Sequence, residues 1–248
     1  MLNQVAAYDD FAWFYNRYWN EEFHSLAFPI LERIWLHRLP ADARILDVCC
    51  GTGYLAGLLT HRGYRVFGFD TSPEMIRYAC ENVPTAEFSV SPVSSFRDSR
   101  RFDAAVSTFD SLNHILDEAE LENSFRSVAA VLKRGAPFAF DMLLEAAYQT
   151  HWGEDFALVK DDHVLTITGS GYDFRTRIAA CKITMFRLKQ GQWCRSDTVV
   201  RERCYSAQEV AAAAQKAGFT ELECYDARDL GMAGQLGEGR TFFILRAP

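Results

Sequence analysis

The 248-residue chain has no apolar run long enough to span a bilayer, and its first residues, "MLNQVAAYDD", lack a basic segment followed by an apolar stretch. A cytoplasmic protein with no membrane partner is the expectation. Cys-x-x-Cys and paired Cys/His spacings are missing too, although there are seven cysteines, at 49, 50, 80, 181, 194, 204 and 224. Neither zinc, nor any other metal, nor a dithiol redox centre is therefore expected, and the thiols read as reduced, mostly buried small hydrophobes. Positive charge is not in excess: 26 Lys and Arg face 33 Asp and Glu, a formal net charge of −7. The densest basic clusters, 97–101 and 195–203, are interrupted by acids and read as solvated faces, so no nucleic-acid partner is expected. Internal repeats, low-complexity segments and long linkers are also lacking.

What is present is the material for a sizeable core, with 49% hydrophobic and 24% charged residues. From Arg44 onward apolar runs alternate with helical patterns. The strand candidates are "RILDVC" (44–49), "RVFGFD" (65–70), "AEFSV" (86–90), "FDAAVST" (102–108) and "APFAFDM" (136–142), with helices predicted near 54–62, 72–82 and 118–133. Strands apolar on both faces and separated by helices predict a parallel sheet covered on each side. Asp117 with Glu120, and Ser206 with Glu209, have capping-box spacing, and Gly135 and Gly218 follow the two helices as stops. "TELECYDA" and "RTFFILRA" supply two further strands.

Two segments break this rhythm. Residues 1–40 are dense in aromatics and predict a helical cap, either packed on the sheet or closing over a ligand. Residues 151–205 read as strands with turns at Asp161-Asp162, Gly169–Gly171 and Gln190–Gln192, an inserted antiparallel β-ribbon on the substrate side. The core then comprises 41–150 and 206–248. Oligomeric state is left as monomer or homodimer.

Ligands of open parallel sheets bind beyond the C-terminal strand ends. There the first strand runs into "DVCCGTG", where Gly51 and Gly53 remove side chains and let a ligand approach the backbone. The second strand ends in Asp70, placed to accept hydrogen bonds from both hydroxyls of a ribose. "GTGYLA" also fits G-x-G-x-x-A, which keeps a nicotinamide-dependent oxidoreductase in view. Asp47 ahead of the glycines and "FDSLNH" after the fourth strand favour a ligand carrying an ammonium or sulfonium charge instead.

"LDVCCGTG", "GFDTSPEMI", "RFDAAVSTFDSLNHI", "FTELECYDA" and "RTFFILR" together resemble the class I S-adenosylmethionine-dependent methyltransferases, small-molecule branch, over about 44–140 and from 205 to the end. The resemblance implies a three-layer α/β, Rossmann-like fold with a seven-stranded, mostly parallel sheet and an antiparallel last strand. It implies S-adenosylmethionine as cofactor and S-adenosylhomocysteine as product. Asp47, Cys49, Gly51 and Gly53 would contact the methionine part, Asp70 the ribose, and Thr71, Ser72 and Met75 the adenine side. Phe109 and Asp110 would line the sulfonium end, with Tyr15 closing from the cap. Cys49 stands where the motif often has glycine. Pro92 stands where an acid often meets the adenine amino group, which leaves that task to the backbone near Val93.

Methyl transfer asks the protein to align the acceptor, exclude water and in some cases remove a proton. His114 is the base candidate, with Asp110 orienting the acceptor. Tyr8, Asn113, Trp152, Tyr172, Arg175, Arg203 and Tyr205 are candidate substrate contacts. "STFDSLN" differs from the Asn/Asp-Pro-Pro-Tyr/Phe loop of enzymes acting on exocyclic or amide nitrogens, and lacks a cysteine nucleophile. The expected reaction is methylation of nitrogen or oxygen in a small metabolite, with a non-catalytic S-adenosylmethionine-binding protein as the other alternative.

Overall fold

The structure, a computed structural model, describes residues 2–150 and 155–248. Trp152 lies outside the described residues. Strands β1 (Arg44–Val48), β2 (Arg65–Asp70), β3 (Glu87–Val90), β4 (Ala104–Ser107) and β5 (Pro137–Leu143) pair in parallel, and β11 (Arg240–Arg246) runs antiparallel between β5 and β10 (Thr220–Asp226). The strand order β10-β11-β5-β4-β1-β2-β3 places β4 at the centre with β1 beside it, and the chain builds outward from β1 to β2 and β3 on one side and to β4 and β5 on the other. The mostly parallel sheet with its antiparallel last strand is the predicted one.

Side chains of a strand alternate between faces, so a strand buried on both must be apolar throughout. Leu46, Val48, Phe138, Phe140, Phe243 and Leu245 face one layer, containing α5 (Glu118–Val131) and α7 (Ala207–Lys216). Ile45, Ala104, Val106, Phe242 and Ile244 face the other, with α2 (Asn20–Ile34) and α3 (Tyr54–His61). The Ser206 and Glu209 capping box forms completely, whereas Asp117 caps α5 through its own side chain only. A short helix, α6 (Glu145–Thr150), follows β5 and was not predicted.

The N-terminal segment forms α1 (Leu2–Tyr18) and α2, joined at Trp19. One edge of α1 carries Phe11 and Phe14 against Leu165, Ile183, Met185 and Val200 of a second sheet. That sheet is four-stranded and antiparallel: β6 (Phe156–Val159), β7 (His163–Asp173), β8 (Ile178–Lys189) and β9 (Gln192–Arg203). The turns at 161–162 and 190–191 form as predicted, but Gly169–Gly171 does not turn. The register slips there inside β7, a bulge that the long cross-strand pairing with β8 carries through. Among the described residues no helix is long and apolar enough to cross a membrane.

Gly68 shows how tightly β2 is packed under the site. A Cβ there would lie 2.7 Å from Cδ1 of Phe88 and 2.9 Å from Sγ of Cys50. Overpacking of this kind costs about 1–3 kcal/mol. Gly68→Val is expected to lower the unfolding free energy by that amount, seen as a lower urea midpoint at unchanged m-value; an unaltered midpoint would contradict the packing described.

Candidate active site

The loops after β1, β2 and β4 meet at one end of the sheet. After β1, Cys49, Gly51 and Gly53 take left-handed backbone conformations, with φ of 58°, 52° and 80°. Glycine adopts these freely, while Cys49 bears about 1–2 kcal/mol of strain. The tight loop lets the Gly51 amide donate to Asp70 Oδ2 at 3.0 Å, and the Ser72 amide donates to Oδ1 at 2.9 Å. Each carboxylate oxygen accepts more than one hydrogen bond, so Asp70 retains capacity for a diol. Burial pushes its carboxyl up, opposed by the amides of Ser72, Gly51 and Thr71.

After β4, Phe109 and Asp110 are two consecutive left-handed residues, with φ of 63° and 50°. Their amides donate to one carboxylate, Asp141 in β5, at 2.7 and 3.0 Å. Arg240, at the start of β11, is 2% exposed and pairs with both Asp141 and Asp110, the latter at 2.7 Å. Phe109 stacks on Phe23 of α2 with ring centroids 4.3 Å apart.

The same loop continues as a single turn, Ser111–His114. His114 Nδ1 lies 3.0 Å from the carbonyl oxygen of Arg201. A carbonyl only accepts, so Nδ1 carries the proton and Nε2 presents its lone pair, here accepting from the Tyr8 hydroxyl at 2.7 Å. Burial lowers the His114 pKa below 6.5, so the ring is neutral at neutral pH. Burial, and then the charge of Glu202, hold the Tyr8 phenol far above its ordinary value, which keeps it a donor.

These loops and the inner face of the second sheet enclose a cavity of about 520 Å³. Gly51, Asp70, Thr71 and Met75 wall one end, while His114, Glu202, Cys181 and Val200 wall the other. Helix α1 roofs it with Tyr8, Phe11 and Tyr15, so the aromatic cap both packs on the second sheet and covers the cavity. Tyr15 stands directly over the loop: a Cβ on Gly51 would meet its ring at 3.4 Å. Asp9 ties α1 down by accepting from Ser72 Oγ at 2.5 Å and from the Glu74 amide at 3.2 Å.

Of the residues singled out from sequence, Tyr8, Tyr15, Cys49, Gly51, Asp70, Thr71, Met75, Phe109, Asp110 and His114 line this cavity. Others do not. Asp47 is buried behind the loop. Gly53 packs its α-carbon region against Ala79 of α4 (Pro73–Asn82) and Phe88 of β3, and Ser72 is the buried N-cap of α4. Val93 opens a short turn and packs in the core under the sheet. Asn113 is fully buried, donating to the carbonyls of Leu143 and Arg203 and accepting from the Leu143 amide. The Arg203 guanidinium turns away to Leu116 and Glu118, and the Tyr205 hydroxyl donates to the Ile115 carbonyl at 2.6 Å. These three hold the loop that carries His114 rather than face the cavity. Tyr172 stacks on Tyr148, and Arg175 sits in the exposed turn between β7 and β8.

Glu202, Asp141 and Arg240 were missed, yet each leaves a trace. Val200, Glu202 and Cys204 alternate, so Glu202 is an acid on an apolar face. Asp141 interrupts the wholly apolar "PFAFDML", and Arg240 shares its face with Phe242 and Ile244.

Asp47 also tests whether an S-adenosylmethionine cofactor suits this end of the cavity. Its Oδ2 is buried without a hydrogen-bond partner, and burial beside Asp70 pushes the carboxyl up to about 8. An uncompensated pair of acids behind a glycine loop fits a ligand that brings positive charge.

Residues 45–135 match the sequence profile of the methyltransferase domain. A Geobacillus sp. (strain WCH70) protein named as a methyltransferase is 28% identical over 224 residues, covering 87% of this chain and 90% of its own. The fold is shared with an S-adenosylmethionine-dependent methyltransferase of Clostridium acetobutylicum, at a TM-score of 0.78 and 22% identity, over 96% of this chain and 98% of that one. It is also shared with CalS10, an amino pentose methyltransferase of Micromonospora echinaspora solved with bound S-adenosylmethionine, at 0.72 and 20% identity, over 96% and 95% of the chains. The glycine loop, the strand-end Asp70 and the loop after β4 gather around one cavity, and with a methyltransferase domain matched over residues 45–135 the chain is similar to the S-adenosylmethionine-dependent methyltransferases whose fold it shares.

Proposed function

We propose that the methyl group goes to a nitrogen or oxygen of a small molecule lodged between His114, Glu202 and the inner face of the second sheet. The observation that carries this reading is the cavity itself, a partly open cleft lined from Asp70 to His114 under α1 by residues of both sheets. Its far end is a pocket suited to a compact acceptor. The amino pentose named as the substrate class of CalS10 is of that scale. A reducing, cytoplasmic setting accords with seven cysteines that are all free.

In this reading Asp70 takes the ribose hydroxyls, the 49–53 loop gives close backbone approach, and the acid pair of Asp47 and Asp70 balances the cofactor's ammonium. When bound, S-adenosylmethionine supplies a methyl carbon activated by its sulfonium. The chain's own work is alignment, exclusion of water and proton removal. Phe109 and Asp110 hold the transfer point, α1 covers it, and His114 Nε2, with Nδ1 fixed on Arg201, accepts the acceptor's proton. Tyr8 occupies that lone pair in the absence of substrate. Asn113, Arg203 and Tyr205 keep the His114 turn in place.

Asp70→Ala is expected to weaken S-adenosylmethionine binding at least tenfold, about 1.4 kcal/mol, by titration calorimetry. Unchanged affinity would remove Asp70 from the ribose site. His114→Ala is expected to lower kcat by about 10²–10⁴-fold on any acceptor the wild type methylates, with cofactor affinity retained. In the wild type kcat/KM falls as pH drops through the His114 pKa, which burial sets below 6.5; a base must be neutral, so activity is retained above it and lost below it. An acid limb above 6.5, or one that persists in His114→Ala, would assign the base elsewhere.

A further inference from the structure

Glu202 is a buried, ionisable cavity-wall group that the proton-transfer scheme leaves without a task. It is 4% exposed, on the inward face of β9 beside Val200, with Cys204 continuing the alternation just past the strand end. Its Oε2 accepts from the Tyr148 hydroxyl at 2.9 Å, and its Oε1 lies 3.8 Å from His114 Nε2. Donor atoms of Asp110, His114 and Glu202 all lie within 4.8 Å of one another.

The charges around this cluster do not balance. Arg240 is the nearby cation, and it is held between Asp110 and Asp141. Among the described residues no lysine or arginine forms an ion pair with Glu202. A carboxyl buried without a cation is costly to ionise, and burial together with the Asp110 charge pushes this one well above the usual carboxylate range. Apolar packing would avoid that cost, so the position makes physical sense if the missing cation arrives with the substrate. The adjoining roof is aromatic, with Tyr8, Phe11 and Tyr15, and an ammonium is attracted to ring faces as well as to carboxylates.

Resting on the methyltransferase reading above, we propose that the acceptor is a small primary or secondary amine that enters as its ammonium ion, and that Glu202 with Asp110 is the charge-reading element that selects it. Tyr148 is a positioning residue that fixes the carboxyl plane. Once bound, the ammonium gives one proton to His114 Nε2. The freed nitrogen lone pair then forms the bond to the methyl carbon as the carbon–sulfur bond breaks, and that electron pair stays on sulfur. The product leaves as the methylated ammonium, and the imidazolium returns its proton to water.

The test uses the whole chain loaded with S-adenosylhomocysteine, titrated by calorimetry at pH 7.5 with cyclohexylammonium chloride and with the isosteric cyclohexanol. The ammonium is expected to bind at least tenfold more tightly than the alcohol in the wild type, and Glu202→Gln is expected to abolish that preference. Equal affinities, a preference that survives Glu202→Gln, or no binding of either probe to the S-adenosylhomocysteine complex would each overturn the assignment. The wild-type comparison decides by itself if Glu202→Gln does not fold. Failure of S-adenosylhomocysteine to bind the wild type would instead overturn the underlying methyltransferase reading, so the two failures are distinguishable.

Discussion

One buried cation, Arg240, set between Asp141 and Asp110, fixes the loop after β4 where it meets the cavity. The chain must leave β4 and at once turn two non-glycine residues, Phe109 and Asp110, into left-handed conformations. Each costs about 1–2 kcal/mol, and their amides would be stranded within the protein without an acceptor. Asp141 accepts both amides, and Arg240 compensates the charge that makes Asp141 a strong acceptor. The result aims Asp110 at the cavity and stacks Phe109 on Phe23, so the cap helix α2, the last strand β11 and its neighbour β5 converge on a single loop. A buried ion cluster is weak evidence of net stability, but removing one member leaves the others uncompensated, which makes the arrangement all-or-none.

The remaining site divides by the kind of group that builds it. The cofactor end is made mostly of backbone: left-handed loop residues, amides bonded to Asp70, and the start of α4. The end around His114, proposed to take the acceptor, is made of side chains contributed by elements added to the sheet, namely α1 and the inner face of β7 to β9. Helix α1 connects the two, since Asp9 is bonded to the N-terminus of α4 while Tyr8 is bonded to His114. One helix thus contacts the cofactor and acceptor ends at once, and it supplies the apolar surface that keeps water from the transfer point.

The sheet and the cofactor end were legible in the sequence because each rests on local signals. Strands buried on both faces read as apolar runs, and the glycines and Asp70 are tied to strand ends that those runs mark. Errors gather where tertiary register decides. Arg203 was taken as a substrate contact, but β9 turns Val200 and Glu202 inward, and a shift of one position exchanges an arginine for the acid that lines the cavity. Asn113 and His114 present the same case within a tight turn, one buried in structural hydrogen bonds and the other facing the cavity. Gly169 to Gly171 resembles a turn in isolation, yet it becomes a bulge because ten residues of β8 pair with β7 on both sides of it. Val93, expected near the adenine, is drawn into the core by the apolar layer beneath the sheet.

The most direct test of the central claim is a double-mutant cycle on Asp141→Asn and Arg240→Met, with unfolding free energies measured in urea for all four proteins. The account predicts strongly non-additive effects, with a coupling energy at the upper end of the range of about 0.5–3 kcal/mol seen for residues in one network. Effects that add to within about 0.5 kcal/mol, as for independent sites, would contradict it.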